Sequence, residues 1–348
     1  MSSYPAGQPS AIRSDPSAES HEKRQRISEF MREAGGLSVV VRRDEPLARH
    51  TTFRIGGPAD LFAYANTQTQ LERLTDLARN YGIPSTILGG GSNVLVSDAG
   101  VRGLVIANQT REVGMRGAEL VVDSGVMMAG LARRSIHEGW SGLEWAVSVP
   151  GTVGGAIIGN AGAHGGNVAD NLLWVLASFQ GEGRRVVPAE ELAFSYRGSA
   201  WKRCATTGEA MPAVLTAAFR LKPGDPHTMT TRAERYLALR RASQPVEPSA
   251  GSVFRNPPGD HAGRLIDAAG LKGYRVGGAV ISCQHANFIV NPDKSGTAAD
   301  VLELINLART QVYEGAGIEL ETEILLIGTW SSEPPIRSVG RPRASVTS

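Results

Sequence analysis

Residues 150–166 read PGTVGGAIIGNAGAHGG, seven glycines in seventeen positions with hardly a charge among them. Glycine loses more backbone freedom on folding than any other residue, so a run this dense is costly to order. It persists where backbone must pass close to something, adopt positive φ, or aim bare N–H groups at an anion. The glycines keep no three-residue period, and Val153, Ile157 and Ile158 sit among them, which excludes a collagen repeat and a disordered linker. Two readings stay open: tight turns at a barrel corner, or consecutive amides forming a concavity for the phosphate of a cofactor.

At 348 residues the chain is long enough for two or three domains with their own cores. Its 36 basic and 34 acidic residues nearly cancel, so no nucleic-acid footprint and no polybasic membrane patch is expected. Cys204 and Cys283 lie far apart and form no CxxC pattern. A metal site and a disulfide framework are therefore not expected, and a reducing cytoplasm is. No apolar run reaches the ~18 residues of a membrane span, and the N-terminus has no apolar segment of the secretory kind.

Residues 1–27 and 331–348 are polar, with Pro, Ser and charges, and read as disordered tails. Between them, Thr69 and Glu72 have the spacing of a capping box opening a helix with Leu71, Leu74, Ala78 and Tyr81 on one side. Short strands are expected at 83–88, 94–97, 104–108, 120–125, 172–179, 184–187 and 213–221, with a helix at 127–138. A boundary is placed near residue 223. Beyond it come helices at 228–241 and 262–269, the strand FIVN, a helix capped by Thr297 and Asp300, and a last strand, LETEILLIG. This is an α+β pattern, unlike the steady alternation of a doubly wound sheet.

Several common motifs are missing. No GxGxxG, GxxxxGK[ST], GxSxG or HExxH occurs, so a Rossmann site, a P-loop, a hydrolase elbow and a zincin are unsupported. What remains is a second glycine loop, Gly89, Gly90, Gly91, Ser92 and Asn93, set directly between two strands. A hairpin turn would use such residues. A two-residue turn does not need five of them, which favours a ligand, and two separate glycine loops fit a long, two-ended cofactor.

Four further segments carry possible chemistry. In SAGSVFRNP, Ser252 stands near Arg255 and Asn256 in a proline-bracketed loop and could donate a proton or bind a phosphate; taken by itself, the segment favours an ST-turn with solvated neighbours. In FSYRGSAWK, Tyr196 precedes Arg197, whose forked donors suit a carboxylate or phosphate, though a surface ion pair is the common alternative. In LETEILL, Glu321 and Glu323 share one face of a strand, usually a solvated one. A carboxylate facing a pocket there would do proton-transfer or electrostatic work. His285 is by default a satisfied structural histidine.

Taken jointly, HTTFRIGGPAD, ILGGGSNVLVSD, GLEWAVSVPGTVGGAIIGNAGAHGG, FSYRGSAWK, QPVEPSAGSVFRNP, AGRLIDAAGLKGYRVGGAVISCQHANFIVN and IELETEILLIG closely resemble the UDP-N-acetylenolpyruvoylglucosamine reductase family, in the family's order from residue 50 to 328. The resemblance implies a two-lobed FAD-binding domain of the vanillyl-alcohol-oxidase type over residues 28–222. It also implies a smaller α+β substrate domain over 223–330, whose last strand contributes a catalytic glutamate. It implies non-covalent FAD held by Arg54, Ile55, Gly56, Gly89, Gly90, Gly91, Ser92, Asn93, Pro150, Gly151, Thr152, Gly154, Gly155, Asn160 and Gly162. NADPH is the implied co-substrate, and the enolpyruvyl group of a UDP-sugar is the group reduced.

By the same resemblance Arg197 and Glu323 stabilise the enolate-like intermediate and Ser252 delivers the final proton. Tyr196, Arg255, Asn256 and His285 match substrate contacts. Arg255 stands where lysine is common. The interval from Arg197 to Ser252 is that of a shorter subclass without the extra tyrosine-bearing loop. A monomer or weak oligomer in the cytoplasm is expected. The competing readings are another flavin oxidoreductase of this fold, such as a sugar or alcohol oxidase, and a non-catalytic UDP-sugar sensor.

Overall fold

The computed structural model describes residues 16–207 and 211–330. Three bodies of packing follow one another along the chain, each a sheet covered by helices.

The first sheet has the order Val41–Pro46, Pro58–Ala65, Val101–Asn108, Ser85–Leu88. Its first pair is antiparallel and the other two are parallel. The helix Gln68–Asn80 lies on it, burying Leu71, Leu74 and Ala78 against Leu61, Leu104 and Ile106. Its cap is Thr67, not the expected Thr69: the Thr67 hydroxyl accepts from the Gln70 N–H at 3.1 Å, and the Gln70 side chain accepts from the Asn66 N–H. Starting two residues earlier keeps the same apolar face and adds half a turn.

The helix Pro16–Gly36 corrects the tail expected over residues 1–27 from residue 16 onward. Ile27, Phe30, Met31 and Ala34 recur at helical spacing and dock on this core, which carries the helix back through the polar stretch. Residues 1–15 and the tail expected at 331–348 lie outside the described residues.

The second sheet is antiparallel throughout, in the order Gly183–Pro188, Leu172–Phe179, Ala213–Arg220, Glu119–Asp123, Val113–Arg116. The helices Met128–His137 and Pro226–Ser243 pack on the same core, the latter through Met229 and Ala233. The boundary expected near 223 therefore falls too early. Asp225 caps the helix Pro226–Ser243 by accepting from the Thr228 N–H, so the proline signals there mark a turn within one core.

The third body begins at Ser249. Its sheet has the order Ser249–Ser252, Phe288–Val290, Ala279–Ile281, Arg275–Val276, and the helices Ala262–Ala268 and Ala298–Ala316 cover it. Its core admits Phe53, Ile55 and Leu95 from the first body. The Asp98 carboxylate also crosses over, accepting from the Ala298 and Ala299 N–H groups at 2.8 and 2.9 Å, beside the Thr297/Asp300 capping box. A carboxylate at a helix N-terminus meets both its orphan donors and its dipole.

The final strand is shorter than expected and belongs elsewhere. Leu325–Ile327 pairs in parallel with Val94–Val96, not with the third sheet. Among the described residues no helix is long and apolar enough to cross a membrane.

Candidate functional site

The two glycine loops meet. Residues 89–93 leave the strand Ser85–Leu88 and enter Val94–Val96, which pairs with a different strand, so the segment is not a hairpin turn. A Cβ on Gly90 would lie 2.8 Å from the Gly151 Cα, and one on Gly89 would lie 2.3 Å from the Thr152 hydroxyl. Gly91, at φ +61°, would place a Cβ 2.1 Å from the His50 carbonyl oxygen. Gly90 and Gly91 are required by backbone approaching backbone, Gly89 by the Thr152 side chain. Among the described residues, the backbone N–H groups of Gly90, Gly91, Ser92 and Asn93 donate to no other group of the chain. Four unspent amides in one turn form a concavity suited to an anion.

The remaining expected cofactor positions surround this contact. Arg54 holds φ +59° and donates to the Arg49 carbonyl, while Ile55 is buried in the third core. Gly56, at φ +143°, abuts Val96. Pro150 is exposed, and the Thr152 hydroxyl caps the short helix Val153–Ile158 that contains Gly154 and Gly155. Asn160 and Gly162 act inward instead. The Asn160 amide donates to the Ser195 carbonyl at 3.0 Å and accepts from the Ala169 N–H, and the Gly162 carbonyl accepts from Arg197 Nη1 at 2.7 Å. They tie the glycine run to the FSYR segment.

That segment carries a cluster of cations. Arg197, held at φ +54°, puts Nε 3.1 Å from Glu323 Oε1. Strained backbone of this kind concentrates at functional sites. Arg255 donates through Nη2 to the Arg197 carbonyl at 3.3 Å, and its Nη1 lies 3.7 Å from the exposed Glu321. The two LETEILL carboxylates thus face two different arginines. Lys202, 5 % exposed, donates through Nζ to the Glu323 carbonyl at 3.3 Å. Burial pushes the Glu323 carboxyl above the usual carboxylate range, against the pull of Arg197, Lys202 and Arg255. Burial, joined by Arg255 and Arg197, pushes the Lys202 ammonium down to about 8.

Backbone pairing brings the Glu323 main chain against Val253, the neighbour of Ser252. The Glu323 N–H donates to the Val253 carbonyl at 2.7 Å and the Arg255 N–H to the Glu321 carbonyl at 2.9 Å, with Phe254 bridging Thr322. The buried Asn287 locks the same turn by accepting from the Phe254 N–H and donating to its carbonyl. Ser252, Asn256 and His285 line one cleft of about 390 Å³ together with His261, Arg264 and Lys272. The Ser252 hydroxyl has no hydrogen-bond partner among the described residues. Burial lowers the His285 pKa, so the ring is neutral near pH 7. Its Nδ1 accepts from the Asn287 N–H, which leaves the proton on Nε2. Tyr196 is exposed at the rim, its ring 5.7 Å from the Arg197 guanidinium carbon.

Two family models match the chain: an FAD binding domain over residues 59–187, and the C-terminal domain of UDP-N-acetylenolpyruvoylglucosamine reductase over 244–327. The UDP-N-acetylenolpyruvoylglucosamine reductase of Chloroflexus aggregans is 44 % identical over 295 residues, covering 84 % of this chain and 99 % of that protein. This chain belongs to the UDP-N-acetylenolpyruvoylglucosamine reductase family. A second reductase, from Rubrobacter xylanophilus, is 45 % identical over 287 residues, 82 % of this chain and 94 % of the other. The crystal structure of the Thermus caldophilus reductase superposes with a TM-score of 0.70 at 36 % identity, covering 83 % of this chain and 98 % of that one.

The matched FAD binding domain spans both glycine loops, and the unspent amides at residues 90–93, in a turn shaped by the close contact with Gly151 and Thr152, would fit a pyrophosphate. The match of the C-terminal reductase domain from residue 244 also agrees with a third body starting after the helix Pro226–Ser243. Sequence reasoning missed Lys202 and Asn287. Lys202 stood inside the quoted FSYRGSAWK, and its signal was a lysine in the first turn of the helix Ala200–Thr207, the end where a cation is disfavoured.

Proposed function

We propose that the chain reduces the enolpyruvyl double bond of UDP-N-acetylglucosamine enolpyruvate with NADPH, giving UDP-N-acetylmuramate. FAD, which the amides of residues 90–93 beside Gly151 and Thr152 would hold, would supply a two-electron carrier between NADPH and the enolpyruvyl double bond. One observation carries the reading: a half-buried Arg197–Glu323 pair joined by two further cations, its glutamate backbone paired with Val253, the neighbour of the unpartnered Ser252.

Hydride addition leaves negative charge spread over carbon 2 and the adjoining carboxylate. The Arg197 guanidinium is already oriented by the Gly162 carbonyl and Glu323, so it meets that charge without reorganising. An ionised Glu323 would repel the charge, and burial raises its pKa, which lowers the cost of protonating it as that charge develops. Ser252 gives its proton to carbon 2, completing addition of hydride and proton across the double bond. In the cleft, Lys272 and Arg264 are paired with Asp267 and Asp260, and a nucleoside diphosphate would compete for those cations. NADPH use and the two cysteines, which no disulfide joins, support a cytoplasmic setting.

The experiment is anaerobic reduction by NADPH followed by re-oxidation with the enolpyruvyl UDP-sugar. Purified protein should be yellow, absorbing near about 450 nm as flavins do. Ser252→Ala should leave the NADPH step nearly intact and slow re-oxidation by at least about a hundredfold. Equal losses in both steps contradict the role of Ser252. Steady oxygen uptake on a sugar alcohol without NADPH would instead identify an oxidase.

A further inference from the structure

We propose that Lys202 is a positioning residue of the hydride-accepting site: it fixes the main chain that carries Glu323, and it gives the Arg197–Glu323 cluster a surplus of buried positive charge that an anionic substrate group neutralises. The proposal rests on the functional reading above for the identity of that anion, the enolpyruvyl carboxylate.

The placement of Lys202 breaks two local rules. Its ammonium is almost wholly buried, and it sits in the first turn of the helix Ala200–Thr207, where the dipole opposes a cation. The Ser199 hydroxyl, itself donating to the Ile158 carbonyl, accepts from the Lys202 N–H and so anchors this turn on the second lobe. From there Nζ reaches across to the Glu323 carbonyl at 3.3 Å, where the Asn93 amide of the glycine loop also arrives at 3.4 Å. One carbonyl is thus held from the second lobe and from the cofactor loop at once. An ammonium has three donors, and only this one is engaged among the described residues.

The charges do not balance. The buried Lys202 and the half-buried Arg197 and Arg255 carry three positive charges around one half-buried carboxylate, Glu323; Glu321 meets only Arg255, at 3.7 Å and in solvent. Uncompensated buried charge is costly, and a protein retains it where a ligand supplies the counter-charge. The carboxylate left adjacent to the developing enolate is an anion of the right sign and size.

Two variants test this. Lys202→Met removes charge and donor at similar volume; Lys202→Gln keeps a donor but no charge. Both should retain flavin and take electrons from NADPH within about threefold of wild type. Lys202→Met should slow re-oxidation by the enolpyruvyl UDP-sugar about a hundredfold and raise its KM. Lys202→Gln should recover most of kcat while KM stays high, separating position from charge. Without ligand, Lys202→Met should melt at or above the wild-type temperature, because a strained charge has been removed. Unchanged re-oxidation in Lys202→Met, or a lower melting temperature with slowing of both steps, overturns the proposal. If the wild type itself is not re-oxidised by the enolpyruvyl UDP-sugar, the functional reading fails, and the melting comparison still decides whether Lys202 carries strained charge.

Discussion

Lys202 and Glu323 are both held against their electrostatic preference. The Lys202 pKa falls from 10.5 to about 8 on folding. Between those values the unfolded chain binds the proton and the folded one does not, so this group makes stability rise with pH in that window. Its destabilisation is fully present below pH 8, on the order of 3 kcal/mol from the size of the shift. The melting-temperature gain of Lys202→Met over wild type should therefore be largest near pH 7 and close between pH 8 and 10.5; a gain that does not vary with pH would place the charge outside the cluster. Glu323 behaves oppositely with pH. Its folded pKa lies above the unfolded one, so its destabilisation is present at neutral pH and fades as pH falls toward 4.5. Such paired strain resembles the cost that active sites impose on stability.

At the scale of elements, the glycines divide into two kinds that sequence composition does not separate. Gly91 combines φ +61° with a Cβ position 2.1 Å from the His50 carbonyl, whereas Gly165, at φ +85°, has nothing within 4 Å. Gly91→Ala should displace the cradle, with loss of bound flavin measured by the ratio of visible to ultraviolet absorbance. Gly165→Ala should cost only the roughly 1–2 kcal/mol of a left-handed residue and keep its flavin. Element positions were legible from local chemistry: the Thr297/Asp300 box opens the helix Ala298–Ala316, and Gly317 at φ +65° ends it. Pairing was not. Val94–Val96 follows Ser85–Leu88 by five residues yet pairs with Leu325–Ile327, and no local signal reports a partner so far along the chain.

For the molecule as a whole, the first and third bodies share a core. Phe53 is fully buried and lies in the third core although its neighbours in sequence build the first. Phe53→Ala should cost about 3–5 kcal/mol, and wild type and variant should each show the first and third bodies unfolding in one denaturant transition, followed by amide hydrogen exchange in the strand Val101–Asn108 and the helix Ala298–Ala316. Transitions that separate for these two bodies would contradict the shared core. The three-body organisation could be read only partly from the sequence. Pro223 and Gly224 look like a boundary because turns and domain linkers use the same residues, and only the burial of Met229 and Ala233 assigns the following helix. The candidate site was more legible, because Arg197, Ser252 and Glu323 lie in short distinctive segments. Lys202 escaped notice because its burial and its reach to Glu323 depend on chain 121 positions away.

The parallel pair joining Val94–Val96 to Leu325–Ile327 also sets an order of events during synthesis. The Leu325 N–H donates to the Asn93 carbonyl, and the Asn93 side chain to the Glu323 carbonyl, across 230 positions. At about 5–20 residues per second, the glycine loop leaves the ribosome roughly 10–50 s before the strand that holds it. A nascent chain therefore carries the glycine loop without its brace from the last strand through most of translation. The pairing that positions Glu323 against the glycine loop is thus a late step, made when the strand Leu325–Ile327 reaches Val94–Val96.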